Sequence, residues 1–300
     1  MDCNSSTKIY SLSMYFKNIK FFCFLILSIS LSSCTTIKIS DKDYYSVNKE
    51  YYIPNNFLWE NIYNGIDYYS FSHKKPNLKY HLVRINLDKA NMRIKIYPEE
   101  SDFIQKKGKK TNIFMGRLVA QYAKKNKYQI AINLSPFEYT SIFKRQNVGV
   151  LVNNKKELFQ KIEKYAYLGI NEINGKYYAE ILRNQNNENK KFDYELGGFF
   201  TVIENGKKMD FPYYSQDGRT AVGISKDERT LYVLIVEKNL FSKGLSYQEC
   251  NEILLATKVY NAIQFDGGGS TSLYIEKNKI NVGLRPVASS LYISVYDKEN

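Results

Sequence analysis

The sequence predicts an α+β fold: a single domain of mixed, largely antiparallel β-sheets with two main helices. Three observations carry this expectation. Short apolar runs of strand length recur from Tyr80 to Tyr296, separated by Asn-Gly, Asp-Gly and Lys/Asn-rich turns. Only two stretches keep the spacing of a helix that buries one face. No repeat of about 20–50 residues is visible, so a solenoid or propeller is excluded.

Residues 1–34 read as an address. From Met14 a basic stretch precedes the apolar run Phe21 to Leu31, the layout of a secretory signal and too short for a membrane span. The run ends Leu31-Ser32-Ser33-Cys34, which resembles a lipobox with Cys34 as the lipidated residue. Residues 35–56 are polar and read as a tether. Residues 57–300 form the expected domain.

Within it, Tyr80 to Leu87 and Met92 to Tyr97 read as an antiparallel pair around an Asp-Lys-Ala-Asn turn. Thr111 to Lys125 reads as the first helix, capped by Thr111, with Ile113, Phe114, Leu118, Val119 and Tyr122 on one face. Tyr128–Asn133 and Val148–Val152 read as buried strands. Asn174-Gly175 and Asn205-Gly206 signal hairpins. Asn184 to Lys191 reads as a surface loop. Thr220–Ser225 and Leu231–Val236 pair around Lys226–Arg229. Ser246 with Glu249 three residues on forms a capping box for the second helix, Ser246 to Tyr260. Ala262–Phe265, Ser270–Ile275 and Ser289–Tyr296 close the list of strands.

Composition narrows the function classes. The chain has 300 residues, 44% of them hydrophobic, and a net charge of +13, enough apolar material for a large core. Only eight of the 43 basic residues are arginines, and the lysines are scattered, so no nucleic-acid partner is expected. Two histidines and four cysteines without a Cys-x-x-C pair leave no ordinary zinc site, and no cofactor or metal is expected. After export one thiol, Cys250, remains beside Cys34, and burial is its expected fate.

The string Asp266-Gly267-Gly268-Gly269-Ser270-Thr271 is where chemistry is expected. Asp266 leaves the carboxyl end of a strand. Three glycines permit positive φ and let backbone N–H groups converge on an anion. Ser270 and Thr271 add hydroxyl donors.

These residues, with Arg219-Thr220-Ala221-Val222-Gly223, Arg285-Pro286-Val287-Ala288, Gly197-Gly198 and Asn205-Gly206-Lys207, resemble the motifs of the phosphodiester glycosidases in order and spacing over residues 57–297. The resemblance implies hydrolysis of the glycosidic bond of a sugar-1-phosphodiester; with the lipobox at Cys34, the expectation is an exported lipoprotein held at the bacterial membrane by its lipid anchor and acting on envelope or extracellular polysaccharide. Where that family carries Asn-Gly-Gly-Phe/Tyr, this chain reads Asn133-Leu134-Ser135-Pro136-Phe137. The altered segment keeps a second reading open, a non-catalytic glycan- or envelope-binding lipoprotein on the same scaffold.

Roles follow from residue type. A guanidinium grips a phosphodiester with two parallel charge-assisted bonds, so Arg219 is the first candidate and Arg285 the second. An oxocarbenium-like carbon needs a carboxylate nearby, and Asp266 is the best choice. Glu237, at the end of Leu231–Val236, is the second carboxylate and Glu138 the third. Asn133 is placed on a sugar hydroxyl or phosphate oxygen, and Gly267, Gly268, Gly269, Ser270 and Thr271 around the anion.

Overall fold

The computed structural model describes residues 52–296 apart from residues 90, 186–189 and 212. The chain divides into residues 1–48 and 49–300. The expected signal peptide, Cys34 and most of the expected tether lie outside the described residues. Among the described residues no helix is long and apolar enough to cross a membrane.

The domain is more β-rich than an α+β label suggests. Among the described residues two α-helices, α1 (Val119–Asn126) and α2 (Tyr247–Ala256), accompany three larger sheets and two small ones. Every strand pairing among the described residues is antiparallel, where mixed sheets were expected. Neighbouring strands are joined by hairpins, or come from distant parts of the chain without a parallel crossover helix.

The main sheet has eight strands. Its centre is Asn77–Asn86, Thr230–Val236, Arg219–Ile224 and Asn261–Gln264, in that order. Thr230–Val236 reads as a continuous apolar run because both its faces are covered. Leu231, Val233 and Ile235 enter the large core that also holds Ile130, Ile132, Leu168 and Ile170 from the two five-stranded sheets. Tyr232, Leu234 and Val236 face a second core, filled by Cys250, Ile253 and Leu254 of α2. Cys250 is fully buried and burial pushes its thiol up to about 12.

Several expectations hold in detail. Ile173 and Lys176 close the hairpin around Asn174-Gly175, both at positive φ. The Ser246 hydroxyl accepts from the Glu249 amide while Glu249 accepts from the Ser246 amide, the expected capping box of α2.

Others are corrected. Residues Lys109–Met115 form a strand paired with Phe103–Lys106, so Thr111 caps no helix. Its hydroxyl donates to the Ile104 carbonyl, and Phe114 is buried among Phe103, Tyr97 and Phe159. Helix α1 begins only after Leu118. Gly116 intervenes, and a Cβ there would lie 3.1 Å from Arg145 Cγ and 3.2 Å from Pro286 Cβ. Strands Asn77–Asn86 and Met92–Tyr97 do not pair. They belong to different sheets, with Met92–Tyr97 beside Ser290–Val295, and Asp88 in the connection is tied to Arg229 and Lys176. Gln185, expected on a surface loop, is fully buried. It accepts from the amides of Val150 and Ile162 and donates to the Ala166 carbonyl, because these orphaned backbone groups need a partner away from water.

Candidate active site

The carboxyl end of Asn261–Gln264 lies beside the start of Arg219–Ile224, where Gln264 pairs with Ala221 and the Phe265 amide donates to the Thr220 carbonyl. Asp266 leaves the sheet at this edge. Its amide donates to the Leu134 carbonyl at 2.9 Å. Leu134, one of the residues replacing the family's glycines, fills the large core, and its backbone still anchors Asp266.

Asn133 is buried and serves as a clamp. Its Nδ2 donates to the Asp266 carbonyl at 2.7 Å, and its Oδ1 accepts from the Thr220 hydroxyl at 2.7 Å and the Ser272 amide at 2.9 Å. Both lone pairs of Oδ1 are committed to protein, so Asn133 acts by positioning rather than as the sugar ligand expected from sequence.

The protein approaches Gly267 and Gly269 closely, and Gly268 takes the positive φ expected of it. The Gly267 amide donates to Asp266 Oδ1 at 3.0 Å and the Gly268 amide to the Gly218 carbonyl at 2.8 Å, so neither points at a ligand. A Cβ on Gly267 would lie 2.7 Å from the Gly218 carbonyl oxygen, Gly268 has φ +57°, and a Cβ on Gly269 would lie 2.4 Å from Arg285 Nη2. The bend is thus pressed against Gly218 on one side and under the Arg285 guanidinium on the other. Ser270 and Thr271 are buried, and their hydroxyls make no well-formed hydrogen bond within the protein.

Burial raises the Asp266 carboxyl from its ordinary value to about 6, against the opposing effects of the nearby Ser270 hydroxyl, the Gly267 amide and the Arg285 charge. Arg219 is almost fully buried. Nε donates to the Leu245 carbonyl at 3.0 Å and Nη2 to the Ser215 carbonyl at 2.7 Å, while its guanidinium lies 3.9 Å from the centre of the Tyr247 ring. Arg219 stacks on Tyr247, a Cβ on Gly267 beside Asp266 would lie 3.8 Å from Arg219 Cα, and Asp217 overhangs Gly268, so the four groups share one neighbourhood. A cleft of about 290 Å³ lined by Phe199, Phe200, Tyr213, Ser215 and Tyr247 opens there.

Asp217 was not anticipated. A Cβ on Gly268 would lie 3.4 Å from Asp217 Oδ2, so this carboxylate overhangs the glycine bend, and Lys238 Nζ lies 3.4 Å from Oδ1. The available signal was the dipeptide Asp217-Gly218 directly before Arg219, an echo of Asp266-Gly267. The cleft aromatics were not distinguishable among 27 tyrosines and 17 phenylalanines.

Glu237 is separated from this group. Arg219 pairs with Val236 and shares its face toward α2, so Glu237, one residue on, turns to the opposite face. There Oε1 meets His81 Nε2 at 2.7 Å and Lys79 Nζ at 2.9 Å, and Oε2 accepts from Asn239 at 2.7 Å. Burial works against its charge, but the bonds from His81 and Lys79 prevail and hold it down at about 2. The structure thus pairs Glu237 with His81 and Lys79 and does not bring it to Arg219 and Asp266. Glu138 is exposed on the short strand Phe137–Tyr139. Arg285 is exposed at the rim of the bend. Among the described residues no group of three or more His, Cys, Asp or Glu is placed to hold a metal ion.

A family model described as phosphodiester glycosidase matches residues 126–294, more than half of the chain and every site residue above. The chain belongs to the phosphodiester glycosidase family. Among solved structures, this glycosidase-family chain superposes on the catalytic domain of zebrafish N-acetylglucosamine-1-phosphodiester α-N-acetylglucosaminidase, captured auto-inhibited by its pro-peptide. The TM-score is 0.58 at 15% identity, covering 79% of this chain and 86% of that one. A hypothetical protein from Synechocystis gives a TM-score of 0.57 at 12% identity, covering 81% of this chain, which spans 64% of the length of that protein. At these identities the superpositions speak for the fold. No curated protein matches the chain in sequence.

Proposed function

We propose that the protein is an exported, lipid-anchored hydrolase that cleaves the glycosidic bond of a sugar-1-phosphodiester in envelope or extracellular polysaccharide. The observation that supports the reading is the proximity of Arg219, Asp217 and the Asp266 bend to one another, with Arg219 stacked on the cleft residue Tyr247, in a phosphodiester glycosidase chain.

In this reading Arg219 binds the phosphodiester. Two of its nitrogens are fixed by backbone carbonyls and its plane by Tyr247, so it meets the anion pre-organised. Arg285 adds a second, exposed positive charge at the rim. The sugar lies in the aromatic cleft. A phosphate monoester leaves without needing a strong general acid, which frees the carboxylates for the carbon side. Asp266, raised to about 6, is a better base than an ordinary aspartate and is ionised at neutral pH, as activation of a water requires. Asp217 stabilises the positive charge that develops on the sugar ring.

Release of free sugar from a panel of sugar-1-phosphodiesters tests the reading, with Arg219→Ala raising KM and Asp266→Asn lowering kcat by roughly two orders of magnitude or more. Unchanged turnover in both variants rejects the assigned roles. Saturable glycan binding without turnover by the unmodified protein favours the non-catalytic alternative.

A further inference from the structure

The five-stranded sheet of Lys156–Phe159, Leu151–Asn153, Tyr194–Gly197, Tyr167–Ile173 and Lys176–Leu182 carries a feature the hydrolytic site does not use. One face of this sheet, with Leu151, Leu168, Ile170 and Leu196, closes the large core. The other carries a small cluster of Val150, Val152, Tyr167, Leu182 and Phe192. A cleft of about 740 Å³ opens on that second face, larger than the cleft beside Arg219.

Glu195 lines this cleft and is 3% exposed. Its Oε2 lies 3.3 Å from Lys161 Nζ without hydrogen-bond geometry and accepts no bond from the protein. The Tyr167 ring lies behind, 6.1 Å from Phe192 and 5.4 Å from Lys161 Nζ, fully buried, with a hydroxyl that also lacks a protein partner. The Glu195 charge reaches this hydroxyl and, after burial, is the next cause that raises it. A buried carboxylate held only by the loose ion pair to Lys161, and a buried tyrosine hydroxyl with no partner, are costly unless something else satisfies them.

The chemistry of the wall selects the class of ligand. Lys155, Lys161 and Lys191 are balanced by Glu157, Asp193 and Glu195, with Lys155 and Asp193 paired at 3.4 Å. An anion would meet the carboxylates of Glu157, Asp193 and Glu195 on this wall, which the lysines, Lys161 at 3.3 Å from Glu195 among them, already balance, and would gain little. A metal ion lacks the ligands, since no cluster of three or more candidate side chains occurs among the described residues. What fits is a neutral polyhydroxylated molecule, whose O–H groups donate to Glu195 and accept from Gln160 and the lysines, with its apolar face against Phe192.

We infer that this cleft is a second carbohydrate site, which takes a neutral sugar unit of a polymeric glycan. Three residues of chain separate Glu195 from Phe199 in the cleft beside Arg219, so their Cα atoms lie at most about 14 Å apart. One glycan chain of a few sugars spans that distance. The site therefore holds a polymer near the hydrolytic cleft while taking no part in bond cleavage.

The test is calorimetric titration of the Asp266→Asn protein with chitotriose, cellotriose and maltotriose, which carry no phosphate. At least one binds, and both Glu195→Gln and Phe192→Ala weaken that binding tenfold or more, with circular dichroism unchanged. On a small soluble sugar-1-phosphodiester the same two substitutions leave kcat/KM within twofold. Absence of binding by all three trisaccharides overturns the inference, as does binding that survives both substitutions. Loss of small-substrate turnover in Glu195→Gln also overturns it, by assigning Glu195 to the reaction. Because binding is read in an inactive variant, failure of the hydrolytic reading leaves this result intact.

Discussion

Replacing Asn133 with alanine separates positioning from substrate contact. The side chain makes three hydrogen bonds within the protein, to the Asp266 carbonyl, the Thr220 hydroxyl and the Ser272 amide, at 2.7–2.9 Å. Thr220 and Ser272 are buried and Asp266 half-buried, around a side chain that is 1% exposed. A net hydrogen bond is worth about 1 kcal/mol, and a buried group left unpaired costs about 1–3 kcal/mol. Asn133→Ala therefore costs roughly 3–5 kcal/mol, a large part of the stability of an ordinary domain. Urea unfolding at neutral pH followed by tryptophan fluorescence reads this, as a lower midpoint at unchanged slope. Asn133→Asp keeps the acceptor but loses the donor and buries a charge, and falls in the same range. A variant within about 0.5 kcal/mol of the parent that has lost turnover would refute the reasoning, because Asn133 would then act on substrate.

Three further outcomes follow from the same geometry. Asp266 has a folded-state value near 6, above its ordinary 3.8, so its charge opposes folding. That opposition is absent below about pH 4, grows as pH rises to about 6 and is constant above. Asp266→Asn is accordingly more heat-stable than the parent at pH 7.5 and equal to it at pH 3.5, and in the parent kcat/KM rises as pH climbs through about 6. Glu237 is held near 2, below its ordinary 4.5, so its stabilisation is complete above about pH 4.5 and lost as pH falls toward 2. Glu237→Gln costs about 2–3 kcal/mol at neutral pH by denaturant titration, but the folded variant keeps its turnover. Gly267→Ala and Gly269→Ala separate backbone from side-chain crowding. The first drives a Cβ to 2.7 Å from the Gly218 carbonyl and costs about 2 kcal/mol or more in thermal unfolding. The second only displaces the exposed Arg285 side chain, leaves the unfolding temperature nearly unchanged and raises KM.

Much of this was legible in the residue string where local rules decide. The Asn174-Gly175 hairpin, the Ser246–Glu249 capping box and the paired runs Thr220–Ser225 and Leu231–Val236 each depend on neighbours a few residues away. The first helix failed because Ile113 and Phe114 satisfy helical spacing and strand burial equally, and the decision rests with Phe103 and Phe159, which lie elsewhere in the chain. The site divided in the same way. Asp266 and Arg219 stood out by motif, and the structure brings them into one neighbourhood. Glu237 and Arg219 are placed apart by the pleat, a fact of sheet register that no single strand reveals. The glycines of the bend were read as room for an anion; the Gly267 and Gly268 amides are bonded within the protein, and the Gly218 carbonyl and Arg285 crowd Gly267 and Gly269, contacts that lie far apart in the chain.

The central claim is that the bond broken lies between sugar carbon and oxygen, at a site where Arg219 holds the phosphate and Asp266 activates water. Hydrolysis of a sugar-1-phosphodiester in ¹⁸O-labelled water, followed by mass spectrometry of both products, tests it most directly. The account predicts the label on the anomeric hydroxyl of the released sugar, no label in the phosphate monoester, and no labelled sugar from Asp266→Asn. Label in the phosphate product would mean attack at phosphorus and would contradict it.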